Sequence, residues 1–185
     1  MRIIGGTLRG RTLNPPPGYE ARPTTDFARE GLFNTLDSEF WFEDLAVLDL
    51  FGGTGSVSFE FASRGAGSVI TVEMNPANAA FIRKTAASLG LGRTVQVVRH
   101  NVFDFLPICT KCFDIVFADP PYALDGLDSI PDKVLSRRLV HDGGYLILEH
   151  PADYNFAAHP SFVKEKKYGN VHFSFFRPEP EPSEA

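Results

Sequence analysis

The chain has 185 residues, 43% of them hydrophobic and 22% charged, a balance that supports one sizeable core. Its formal net charge of −5 excludes a protein that coats nucleic acid by bulk attraction. No apolar run approaches the ~20 residues that span a bilayer and no export-signal core opens the chain, so a cytoplasmic protein without a membrane segment is expected.

The charge is unevenly spread. Residues 1–30 carry five arginines (Arg2, Arg9, Arg11, Arg22 and Arg29) against three acids, so a polyanion should meet this end first. Met1 to Leu13 mixes apolar residues with Gly and Arg and reads as a small basic hairpin, bent near Gly5-Gly6 and Gly10. Pro15-Pro16-Pro17-Gly18 is a stiff linker that can be neither helix nor central strand. A helix follows, capped by Thr24 or Thr25, with Asp26 in its first turn and Phe27, Leu32, Phe33 and Leu36 on its apolar face.

From Leu45 onward short buried strands alternate with helices. The strands are expected at Ala46–Leu50, Val69–Glu73, Val95–Arg99, Ile115–Ala118 and Gly144–Glu149. The helices are expected near Ser56–Arg64, Pro76–Leu89 and Ile130–Val140. Such alternation means a parallel sheet covered on both faces. Ser161–Tyr168 and Val171–Phe176 then form a hairpin about Gly169-Asn170. Together these predict an α/β fold with the seven-stranded, mostly parallel sheet of a class I methyltransferase. We expect three segments: a basic hairpin and linker at 1–22, the main domain at 23–177, and an acidic, Pro-rich, disordered tail at 178–185. Most of the 17 Phe residues fall in these apolar runs and read as core. Cys109 and Cys112 form the chain's one CxxC, in a loop and without further zinc ligands, and read as ordinary thiols of a reducing compartment.

Chemistry concentrates at strand ends. Asp49-Leu50 runs into Phe51-Gly52-Gly53-Thr54-Gly55, a turn whose glycines let a ligand approach the backbone. No Lys-Ser/Thr follows, which removes the P-loop reading. Glu73, ending the second strand, is placed to accept both ribose hydroxyls of a nucleoside cofactor, a feature that suits NAD and S-adenosylmethionine equally. The fourth strand ends in Asp119-Pro120-Pro121-Tyr122. This tetrapeptide favours methyl transfer to an exocyclic amine conjugated with an aromatic ring. The Asp119 carboxylate and the Pro120 carbonyl can accept the two amine N–H bonds and aim the nitrogen lone pair at a methyl sulfonium. Pro121 stiffens the turn, and Tyr122 can stack on a flipped base.

These motifs resemble the bacterial small-subunit (16S) ribosomal RNA guanine-N2 methyltransferase family, the RsmD type. The resemblance rests on Met1–Gly6, Arg9-Gly10-Arg11, Arg22–Asp26 with Arg29-Glu30, Leu32-Phe33-Asn34, Leu48–Phe51, Ser63–Ala66, Asp119–Tyr122 and Tyr168-Gly169. It spans about residues 1–177, with Gly52 where that family usually has alanine and Thr54 where it has serine. It implies S-adenosylmethionine bound by Asp49, Phe51, Gly52, Gly53, Gly55, Glu73, Met74, Asn101 and Val102, with Asn101 beside the adenine. It implies ribosomal RNA as partner, in a partly assembled small subunit given the acidic charge, bound through Arg2, Arg9, Arg11, Arg22, Thr24, Thr25 and Arg29. The expected transfer is direct and needs no metal. An adenine-N6 methyltransferase shares the Asp-Pro-Pro-Tyr chemistry. A nucleotide-binding oxidoreductase shares only the glycine turn and Glu73, and against an RNA-binding domain with a decayed site stand the intact Asp49, Glu73 and Asp119–Tyr122.

Overall fold

The computed structural model describes residues 1–15 and 25–178. Arg22, Thr24, most of the proline linker and nearly all of the acidic tail lie outside the described residues. Thr25 caps helix α1 (Asp26–Asp37), its hydroxyl oxygen accepting the Ala28 N–H. The alternating segment then forms β1 (Ala46–Leu50), α2 (Ser56–Arg64), β2 (Ser68–Val72), α3 (Pro76–Ser88) and β3 (Val95–Val98). After it come α4 (Val102–Phe105), β4 (Phe113–Ala118), α5 (Ile130–Leu135), β5 (Val140–His150), β6 (Phe162–Tyr168) and β7 (Val171–Phe176).

All seven strands join one sheet in the order β3-β2-β1-β4-β5-β7-β6. The first five are parallel, and β7 and β6 close the edge antiparallel. Successive strand residues serve opposite faces, as the pleat requires. Val47, Ile115, Phe117 and Ile147 pack under Phe33, Phe59, Phe61 and Ile82 on one face. Leu48, Val116, Leu146 and Leu148 meet Leu127, Ile130 and Val134 on the other. Most of the phenylalanines are core, as expected.

Residues 1–13 double back through an antiparallel Arg2–Thr12 bridge, with Gly6 and Gly10 at positive φ. The arm is fastened to α2. Glu60, fully buried, accepts the Ile4 and Gly5 N–H groups at 2.8 and 2.7 Å, and Ile3 and Leu13 enter the main core.

Four local expectations need correction. Phe27 is 67% exposed instead of facing the core, and it meets the Tyr168 ring edge-on. The last helix stops at Leu135, because Arg138 turns the chain at φ 53° and Leu139 and Val140 are drawn into the sheet layer. A short helix, α4, appears where a loop was expected, because the Asn101 side chain accepts the Phe103 N–H and caps it. Arg29, expected to face RNA, is 1% exposed. Its guanidinium donates to the Arg2 carbonyl and to Asp26, and its Nε lies 4.0 Å from Glu60. It works as the internal clasp of the arm.

Candidate active site

At the carboxyl ends of the parallel strands lies a cleft of about 530 Å³. One wall is the glycine turn after β1. Its geometry explains the composition: Phe51, Gly53 and Gly55 all have positive φ, and a Cβ on Gly52 would sit 2.2 Å from the Thr71 methyl. A side chain at Gly52 would therefore have to push the Thr71 side chain aside. Phe51, a non-glycine held at φ 66°, marks local strain in the turn.

Glu73 directly follows β2 and binds this turn. One carboxylate oxygen accepts the Gly53 N–H at 2.7 Å and the other the Asn75 N–H at 2.6 Å. It is 9% exposed and lines the cleft. Asp49 lies beneath the turn instead of in the cleft. It accepts the Ser58 hydroxyl, and Ser58, its single proton so used, accepts that of Thr71. Burial pushes the Asp49 carboxyl up to about 7, with the nearby Glu73 charge adding and the Ser58 bond opposing.

The opposite wall is Asp119-Pro120-Pro121-Tyr122 after β4. Asp119 continues the pairing with β1 through its N–H to the Leu50 carbonyl at 3.4 Å. The Leu124 N–H to Pro121 carbonyl bond closes the next turn at 2.8 Å. Tyr122 donates its hydroxyl to Glu149 at the end of β5, 3.2 Å away.

The cleft thus gathers Phe51, Gly52, Gly53, Glu73, Met74, Asn101, Val102 and Asp119 to Tyr122 from the expected set. Asp49 and Gly55 support the turn from outside the lining; Gly55 starts α2 at φ 78°. Glu149, Phe103 and Asn78 line the cleft and were missed. Among the expected RNA contacts, Arg2, Arg9 and Arg11 are exposed on the arm, Arg29 is buried, and Thr25 caps α1. The arm reaches the cleft wall where the Thr54 hydroxyl meets the Met1 sulfur at 3.4 Å.

Two side features lie outside the lining. His150, Glu165 and His172 form a partly buried cluster on β5, β6 and β7, with potential ligand atoms within 4.8 Å of one another. His150 meets Pro151 and Ser174, while Glu165 accepts from His172 and Lys167, so the group is hydrogen-bonded as it stands. Burial keeps His150 below its ordinary pKa. Cys109 is buried and Cys112 exposed, both as free thiols. No helix among the described residues is long and apolar enough to cross a membrane.

The profile of the family described as Conserved hypothetical protein 95 matches residues 1–177. Ribosomal RNA small subunit methyltransferase D of Escherichia coli K12 is 32% identical over 182 residues, covering 97% of this chain and 90% of that protein. The putative rRNA methyltransferase YlbH of Bacillus subtilis 168 is 30% identical over 153 residues, covering 81% and 82% of the two chains. The solved structure of the putative methyltransferase yhhF from Escherichia coli matches with a TM-score of 0.83 at 34% identity, covering 97% of this chain and 98% of that one. The fold is that of a class I, Rossmann-like methyltransferase. By both sequence and fold, the chain belongs to the Conserved hypothetical protein 95 family, alongside the ribosomal RNA small subunit methyltransferase D proteins.

Proposed function

We propose that this chain transfers a methyl group from S-adenosylmethionine to the exocyclic N2 of a guanine in small-subunit ribosomal RNA. One observation carries the reading: a single cleft joins the glycine turn and Glu73 to Asp119-Pro120-Pro121-Tyr122. Glu73 keeps acceptor capacity beyond its two backbone bonds and takes the ribose hydroxyls. Phe51, Met74, Val102 and Phe103 give the adenine apolar surroundings. The Asn101 carbonyl oxygen is used in capping α4, so its amide nitrogen, a donor, suits an adenine ring nitrogen.

Asp119 and the Pro120 carbonyl accept the two N2–H bonds, and Tyr122 stacks on the flipped base. The N2 lone pair attacks the methyl carbon. The C–S bond breaks with its electrons passing to sulfur, and N2 then passes one proton to the Asp119 carboxylate. The products are N2-methylguanine and S-adenosylhomocysteine.

The decisive experiment maps modified bases by mass in ribosomal RNA from a strain lacking the gene. One N2-methylguanine should be missing from the small-subunit RNA, and purified protein with S-adenosylmethionine should restore it. We expect faster restoration on a partly assembled particle than on naked RNA, because ribosomal proteins supply contacts that a chain of charge −5 does not. A methylated adenine, or calorimetric preference for NAD, overturns the reading.

Arg2, Arg9 and Arg11, with Arg22, Thr24 and Thr25 beyond them, are proposed to contact RNA phosphates. Neutralising Arg9 and Arg11 together should weaken RNA binding and flatten its salt dependence, by roughly 0.7 in log–log slope for each lost phosphate contact. Both residues are exposed, and the arm is anchored through Glu60 and Ser63 instead, so cofactor affinity should not change. Affinities measured across a salt series on the double variant check this. An unaltered slope means that the phosphate contacts lie elsewhere.

A further inference from the structure

The pairing of β4 with β5 runs Ile115 to Tyr145, Val116 to Leu146, Phe117 to Ile147 and Ala118 to Leu148. The next residue on each strand is acidic, so Asp119 and Glu149 come out side by side at the same edge of the sheet, separated by the interstrand spacing of about 5 Å. Both line the cleft. Glu149 is 3% exposed, which makes it the more demanding of the two: a buried carboxylate is costly unless donors surround it. The Tyr122 hydroxyl supplies one donor, at 3.2 Å to one oxygen. A carboxylate has about four acceptor sites, so that bond does not exhaust its capacity.

We propose that Glu149 selects guanine by accepting the ring N1–H of the flipped base, an assignment that rests on the guanine-N2 reading above. The Watson–Crick edge of guanine places N1–H directly beside N2. With the amine held by Asp119 and Pro120, the neighbouring position along the edge falls toward the adjacent strand, where Glu149 stands. A carboxylate only accepts, so it fits guanine N1–H. Adenine presents a lone pair at N1, and two acceptors would then face each other. A site built to hydrogen-bond one edge rejects the edge that lacks the donor far more strongly than shape alone can. The Tyr122 bond ties the two recognitions together, since the ring that stacks on the base also orients the carboxylate that reads its edge.

The test uses an RNA substrate carrying either guanine or 2-aminopurine at the target position. 2-Aminopurine keeps the N2 amine but has an acceptor at N1. Wild-type protein should prefer guanine in kcat/KM by about ten-thousandfold. In Glu149→Gln the amide can donate to N1, so that preference should shrink to within about tenfold. Glu149→Ala, which removes the acceptor without adding a donor, should narrow it as well. Comparing ratios between proteins cancels the intrinsic reactivity of the two bases. Calorimetric affinity for S-adenosylmethionine should be unchanged in both variants. If both variants lose guanine and 2-aminopurine activity by the same factor, Glu149 only supports Tyr122 and the proposal falls. A wild type that methylates the two bases equally also overturns it, leaving the reaction itself standing. A wild type that methylates no guanine removes the reaction, and this assignment with it.

Discussion

Asp119→Ala is expected to slow methyl transfer by about a hundred- to a thousandfold while S-adenosylmethionine affinity stays within about twofold. The carboxylate is proposed to hold the amine, whose lone pair is delocalised into the base and must be aimed at the methyl group. That service is realised chiefly in the transition state, so its loss appears in turnover more than in binding. The local backbone should survive the change, because strand pairing and the Asp119 N–H to Leu50 carbonyl bond position it, and Pro120 and Pro121 stiffen the adjoining turn. Asp119→Asn should fall between, since an amide oxygen still accepts but its NH₂ faces the amine badly. Single-turnover rates at saturating cofactor, set beside calorimetric affinities, give the answer. Wild-type turnover in Asp119→Ala would sink the assignment.

Glu73→Ala should show the opposite pattern, with cofactor affinity lowered about a hundredfold and saturated turnover within severalfold of wild type. Two hydrogen bonds from ribose hydroxyls to a carboxylate are worth about 1.5–3 kcal/mol each, and part of that returns as hydration in the empty site. Glu73 also accepts from Gly53 and Asn75, so the variant loosens the glycine turn and should lose about 1–3 kcal/mol of folding stability. Glu73→Gln should rescue little, because one carboxylate oxygen is replaced by an NH₂ that meets a backbone N–H donor. Titration calorimetry and thermal unfolding check both effects. Wild-type affinity in Glu73→Ala would place the ribose elsewhere.

Much of this architecture was legible in the sequence because its signals are contiguous. Short, continuously apolar runs alternating with helical segments set five parallel strands and their helices, and glycine and asparagine at Gly169-Asn170 marked the terminal hairpin. The pairing of the glycine turn with Glu73 could be read because each part sits at the end of its own strand, Glu73 lying 20 residues beyond Gly53. The site went unread where function depends on pairing between distant segments. Nothing around Glu149 marks it as a cleft residue. It becomes one because the β4–β5 register sets it beside Asp119, 27 positions from the tyrosine it binds. Arg29 looked like one more exposed cation of a basic arm. Its partners, the Arg2 carbonyl and the buried Glu60, come from two other elements, and only folding brings them around its guanidinium. Asp49 likewise belonged to the cofactor motif by position, yet packing slid it beneath the glycine turn, where burial raises its pKa and Ser58 and Thr71 complete its hydrogen bonds. Backbone periodicity is written locally, residue by residue. The environment of a charged side chain is set by whatever the fold packs against it, and that decides which charges meet solvent, ligand or one another.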